Sequence, residues 1–133
     1  TYGDYPIVKE ALPNKEEILV EQAKRQPRNE VARFILSDLD KAIELLKEST
    51  PRKQRISKIA ARLFRSRVAL FEGTFEEYHK GSGRVPGDAS WPGKDKEWNK
   101  GKTFDQAGEI KYFLTEAMKD AKIVADAVQL TLA

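Results

Sequence analysis

The residues best suited to ligand chemistry are two tryptophans, Trp91 and Trp98, in the run GSGRVPGDASWPGKDKEWNKGK. Indole rings stack on the apolar faces of sugar rings, and a glycine-rich loop can present them to a carbohydrate. The same rings can instead fold back as anchors that pin the loop to neighbouring helices, because large aromatics are seldom left in water. Asp88 and Asp95 in this run could donate oxygen ligands to calcium, but their spacing is not that of an EF-hand loop.

Acid–base and nucleophilic catalysis find little material. His79 is the only histidine, there is no cysteine, and no partner stands at a recognisable spacing from His79, which fits a surface position at a helix end. The run GSGRVPG lacks the preceding strand and following helix start of a phosphate loop. Between Lys47 and Arg67 the chain carries Arg52, Lys53, Arg55, Lys58, Arg62 and Arg65, a density that nucleic acid could use. The aromatics are not interleaved with these charges, and a solvated helix face is the simpler reading. No enzyme activity, cofactor, metal or nucleic-acid partner is therefore expected.

The elements that must position the tryptophans are helical. Residues 55–78 place Ile56, Ile59, Ala60, Leu63, Phe64, Leu70 and Phe71 at helical spacing, with Lys58, Arg62 and Arg65 opposite. Arg67 falls on the apolar stripe, and such an arginine must be paired or reach water along its stem. Gly73 is expected to stop this helix, and Thr74 with Glu77 to cap a short new turn. The preceding helix runs from an Asn29 cap to about Glu48, with Val31, Phe34, Ile35, Leu39, Ala42, Ile43 and Leu46 apolar and Asp38 on the same face. A short connection from Pro51 to Arg55 makes the two helices antiparallel neighbours. Asp38 and Arg67, each the lone charge on its stripe, then either form an interhelical ion pair or both reach solvent.

A final helix over 105–127 carries Ala107, Ile110, Leu114, Ala117, Ala121, Val124 and Val128 as a narrow seam, behind a capping box of Thr103 and Gln106. Residues 1–28 read as an extended segment and a short helix, Lys15 to Lys24, capped by Asn14 and Glu17. No segment shows a two-residue alternation. The expectation is one all-α domain of antiparallel, tetratricopeptide-like hairpins: 1–28 the N-terminal segment, 29–80 a hairpin, 81–102 a long loop, and 103–133 the last helix.

Composition agrees with a folded chain of ordinary surface: 133 residues, 40% hydrophobic, 34% charged, net charge +3. No run approaches the length of a membrane-crossing helix, and the opening TYGDYP lacks both an initiator methionine and a signal-peptide pattern. An internal piece of a longer precursor is expected.

Taken in order, YGDYPIV, RNEVARFILSDLDKAIELL, RISKIAARLFRSRVALFEGTFEEYH, a tryptophan-bearing loop and EIKYFLTEAMKDAKIVAD resemble the SusD/RagB family of Bacteroidetes outer-membrane lipoproteins. The order of the blocks, with the phrases DLDKAI and RVALFEGTFEEY, carries the resemblance. It implies a non-catalytic, lipid-anchored cell-surface protein that captures glycans or other nutrients and passes them to a SusC-type TonB-dependent transporter. The family's lipidated cysteine, signal peptide and variable C-terminal half have no counterpart here, so these residues would be mainly scaffold. A helical-hairpin adaptor that binds a protein partner, with no carbohydrate role, is the alternative.

Overall fold

Side chains at two N-termini decide where the longest helices begin. Ser57 accepts a hydrogen bond from the Ala60 amide (3.4 Å) and starts α3, Lys58–His79; Asp105 accepts from the Gly108 amide (3.0 Å) and starts α4, Gln106–Ala127. A third helix, α2 (Arg28–Leu45), begins behind Pro27 and takes its cap from outside: the Arg28 amide donates to Asp4 Oδ1 at 3.1 Å. The computed structural model describes residues 3–48 and 55–129. Among them the remaining elements are α1 (Glu16–Gln22) and two strands, β1 (Tyr5–Pro6) and β2 (Arg25–Gln26), paired antiparallel with Tyr5 opposite Gln26.

The chain is thus mostly helical, as expected, with one small sheet that was not. Two-residue strands are too short for an alternation pattern to reveal. The connection from Pro51 and the basic residues Arg52 and Lys53 lie outside the described residues, as do residues 130–133. On either side of that gap, the Lys58 amide donates to the Lys47 carbonyl at 2.9 Å, which fixes how α3 leaves α2.

Three expected caps are not used. Asn29 is buried inside α2, Lys15 stands at the start of α1 without a side-chain cap, and Asp105 replaces Thr103. Nor does Gly73 end a helix, since α3 continues through it to His79, and Thr74 turns its hydroxyl back to the Leu70 carbonyl at 2.7 Å. Gly73 instead lets two helices touch. A Cβ there would stand 2.9 Å from Leu114 Cγ, so the missing side chain sets how closely α3 and α4 approach.

The core is small and tightly spaced. Ala32 and Leu36 of α2, Ala69 of α3, and Phe113 and Ala117 of α4 form one buried cluster, with Val68 and Tyr112 against it. Ile110, Leu114, Ala117 and Val124 of the expected α4 seam turn inward or lie half-buried, whereas Ala107, Ala121 and Val128 are exposed.

The face that α3 buries is the reverse of the one its hydrophobicity predicts. Phe64 is 56% and Phe71 51% exposed, and Ile56, Leu63 and Leu70 also face water, while Ala61, Arg65, Ser66, Ala69, Glu72, Gly73 and Glu76 are buried. Arg65, 4% exposed, contacts three carboxylates: Asp120 Oδ2 at 2.6 Å, Glu116 Oε2 at 2.8 Å and Asp40 Oδ1 at 2.8 Å. Burial disfavours the charged guanidinium, yet its bonds to Asp120, Glu116 and Asp40 outweigh that and raise its pKa further. Arg62 adds a contact to Asp120 Oδ1 at 3.3 Å. Part of the basic run expected to face solvent is therefore spent inside the bundle.

The expected pair of Asp38 and Arg67 does not form. Both residues are exposed, and neither makes an ion pair among the described residues. Asp40 and Arg65 tie α2 to α3 instead, each displaced by two positions, or about 200° around a helix of roughly 3.6 residues per turn, and Arg28 with Glu72 makes a second tie.

Candidate functional site

Asp4 organises the region where the tryptophans meet the helices. Its Oδ1 takes the Arg28 amide at the start of α2, and its Oδ2 takes the indole N–H of Trp91 at 3.1 Å. Burial raises the Asp4 pKa, against the lowering effect of the Arg28 amide and of Trp91. One carboxylate thus holds the N-terminal segment, α2 and the long loop together.

The loop is shaped to receive that bond. After α3, Asp88 folds the chain back on itself, accepting from the amides of Gly81 (2.7 Å), Gly83 (2.9 Å) and Val85 (3.3 Å) and from Gln106 Nε2 (2.8 Å). Burial alone would raise its pKa, but Gln106 and the three amides hold it below the usual carboxylate range. With its oxygens so engaged, Asp88 is a loop staple; Asp95 is exposed, and no group of three or more acidic or histidine side chains suited to a metal occurs among the described residues. Two 3-10 turns follow, Pro92–Asp95 and Glu97–Asn99. Gly93 lies directly beneath the Trp91 ring, where a Cβ would come within 2.1 Å of Cζ2, and its carbonyl accepts from Asn99 Nδ2 at 2.9 Å.

Trp91 is 2% exposed and packs edge-to-face on Phe104, with ring centroids 5.1 Å apart. It is an anchor. Trp98 is pinned as well, its indole N–H donating to the Arg25 carbonyl of β2 at 2.9 Å, yet part of its surface stays open, with Lys24 Nζ 5.8 Å from its ring centroid. Both line one cavity of about 690 Å³ between the N-terminal segment, α1 and the loop. Arg28 and Phe75 form part of its wall; the Arg28 guanidinium lies 3.6 Å from the Phe75 centroid. The size falls in the range of small-ligand sites.

Behind that wall runs a second charge network. Arg28 holds Glu72 with two bonds, 2.7 and 2.6 Å, and Arg33 holds Glu109 with two, 3.0 and 2.7 Å, while stacking on Tyr112 at 3.7 Å. Glu76, 1% exposed, lies between these pairs. Burial, together with the negative charges of Glu72 and Glu109, pushes its pKa up to about 8, so it is a neutral acid at pH 7. Neither Glu72 nor Glu76 lines the cavity, so neither meets a molecule held there. The His79 ring lies tilted against Phe75, with centroids 4.2 Å apart, and meets Tyr78 edge-to-face at 5.0 Å.

Asp38 and Arg67 take no part in the cavity, whereas Asp4, Arg25, Arg28 and Arg84, none of them singled out by the sequence, do. A signal for Asp4 existed in the turn-forming run Gly3, Asp4, Pro6. The arginines had none, because long-range bonds bring their segments together, the Arg28 amide to Asp4 and the Trp98 indole to the Arg25 carbonyl. Compared with family models, curated proteins and solved structures, the chain matches none of them.

Proposed function

We propose that this chain is the scaffold-bearing part of a non-catalytic, glycan-binding protein of the SusD type. In this reading its helices form a tetratricopeptide-like frame. The full-length protein sits, lipid-anchored, on a bacterial outer membrane and hands its ligand to a SusC-type TonB-dependent transporter. The observation that carries the reading is the meeting of Trp91 and Trp98 on one cavity of about 690 Å³. Trp91 stiffens the wall, and Trp98, held by its N–H but partly open, supplies ring surface for a sugar.

Isothermal titration against a panel of oligosaccharides tests it. Trp98→Ala is expected to weaken binding by about tenfold or more, as for loss of an aromatic stacking partner, with the circular dichroism of the helices unchanged. Equal affinity in the variant rejects the site.

A second reading, a helical-hairpin adaptor without a carbohydrate role, draws on the water-facing apolar stripe of α3. Arg67 is the one charge along that stripe, so the matching partner is an amphipathic helix with a carboxylate set among its apolar residues. No binding to any glycan, combined with binding of such a synthetic helix that Arg67→Glu abolishes, replaces the first reading by the second.

A further inference from the structure

We infer that the cavity beside Trp98 takes an anionic oligosaccharide, a sugar chain bearing carboxylate or sulfate groups. The inference rests on the carbohydrate reading above and adds the charge of the ligand. Five cationic side chains line the cavity, Lys24, Arg25, Arg28, Arg84 and Lys96, against one carboxylate, Asp4. Lys24 is committed to Glu21 at 2.5 Å, and Arg28 to Glu72. Arg25, Arg84 and Lys96 make no ion pair among the described residues.

These three arrive from separate stretches: β2, the turn after Gly83, and the junction of the two 3-10 turns. The inward-facing arginines of α2 and α3 behave otherwise, since Arg28, Arg33, Arg62 and Arg65 each contact at least one carboxylate. Asp4 keeps its negative charge while accepting from two neutral donors, the Arg28 amide and the Trp91 indole, and that charge acts on Arg25 and Arg28, so the surplus lies chiefly with Arg84 and Lys96. Unmatched cations facing one cavity raise the local concentration of anions and favour their binding. A guanidinium fork fits carboxylate and sulfate alike, and the neighbouring Trp98 ring fits the apolar face of the sugar that carries them.

The test is titration calorimetry on the whole chain with four probes: tetragalacturonate, its full methyl ester, a chondroitin sulfate tetrasaccharide and tetraglutamate. At low salt, at least one of the two anionic sugars is expected to bind about tenfold more tightly than the neutral ester, as charge-assisted bonds predict. Added salt should erode that margin. Arg84→Gln combined with Lys96→Gln, both at exposed positions, is expected to bring the anionic sugars down to the level of the ester and leave the ester unchanged. If the ester binds as well as the anionic sugars, or the double variant changes nothing, the charge inference falls while the carbohydrate reading stands. If tetraglutamate binds as tightly as the sugars, the ligand is an anion without a sugar requirement, and the carbohydrate reading falls. If no probe binds, both fall.

Discussion

The two faces of α3 invert the usual division of labour in a helix. The outer face carries Leu63, Phe64, Leu70 and Phe71 in water, whereas the inner face carries Arg65, Glu72 and Glu76 among alanines, a serine and a glycine. The small residues explain how this packs. Gly73 leaves room for the Leu114 side chain of α4 and Ala69 shares a buried cluster with Phe113, so small residues on α3 receive large ones from α4, and the long charged side chains reach past the contact to partners on α2 and α4. Cohesion on the inner face is therefore ionic and geometric, while the hydrophobic capacity of the helix is held on its outside.

The largest expected effect comes from breaking the inner face. Arg65→Met leaves Asp40, Glu116 and Asp120 without their shared cation, and should cost about 3 to 5 kcal/mol in urea unfolding. Adding Asp120→Leu should restore part of the loss; strictly additive costs would mean that the pair is not coupled. Next in size, Gly73→Ala should destabilise by about 1 to 3 kcal/mol from overpacking against Leu114, despite the helix preference of alanine worth about 1 kcal/mol. A stabilised variant would show that the helices can separate at no cost.

A pH-dependent effect is smaller and specific to the inner face. Glu76 holds its proton up to a pKa of about 8 when folded, against an ordinary value of 4.5. Between those values the native state binds more proton than the unfolded chain, so this group's contribution to stability is full below about pH 4.5 and is lost as pH rises through about 8. Unfolding curves from pH 5 to pH 9 should show that slope, and Glu76→Gln, which keeps the neutral form, should flatten it. An unchanged slope assigns the titration to another group. The outer face should respond least: Phe64→Gln, Phe71→Gln, Asp38→Ala and Arg67→Ala are each expected to fall within about 0.5 kcal/mol of the parent. A loss of about 2 kcal/mol at Phe71 would overturn its assignment to the outside.

What the sequence made legible follows the same division. The α4 positions Ile110, Leu114 and Ala117 point inward as their spacing requires, because there apolar character and burial coincide. On α3 they part company. Arg65 and Glu72 become compatible with burial through Asp120 and Arg28, residues 55 and 44 positions away, which no local window contains. The available signal was size: Ala61, Ser66, Ala69 and Gly73 recur along one side, and close approach selects for small volume before it selects for hydrophobicity. At the cavity, Trp91 and Trp98 were visible by type, and the anchoring role open to them is seen at both, through Asp4 and through the Arg25 carbonyl. The cations beside them were not visible, since the bond from the Trp98 indole to the Arg25 carbonyl joins positions 73 apart.

The bond from Trp91 to Asp4 joins residues 87 positions apart. Contacts of such separation cost loop-closure entropy, and the frame carries that cost too, since Arg33 and Glu109 are 76 positions apart. The frame of α2, α3 and α4 is expected to assemble before the cavity does because its buried apolar cluster offsets the cost, whereas the cavity is closed by single hydrogen bonds, leaving the N-terminal segment to be fastened last. Stopped-flow folding of Trp91→Phe should then show faster unfolding with an unchanged folding rate, and a slowed folding rate would place the loop in the nucleus instead. The cavity is in that sense a clasp, closed by a single carboxylate over a frame that is already standing.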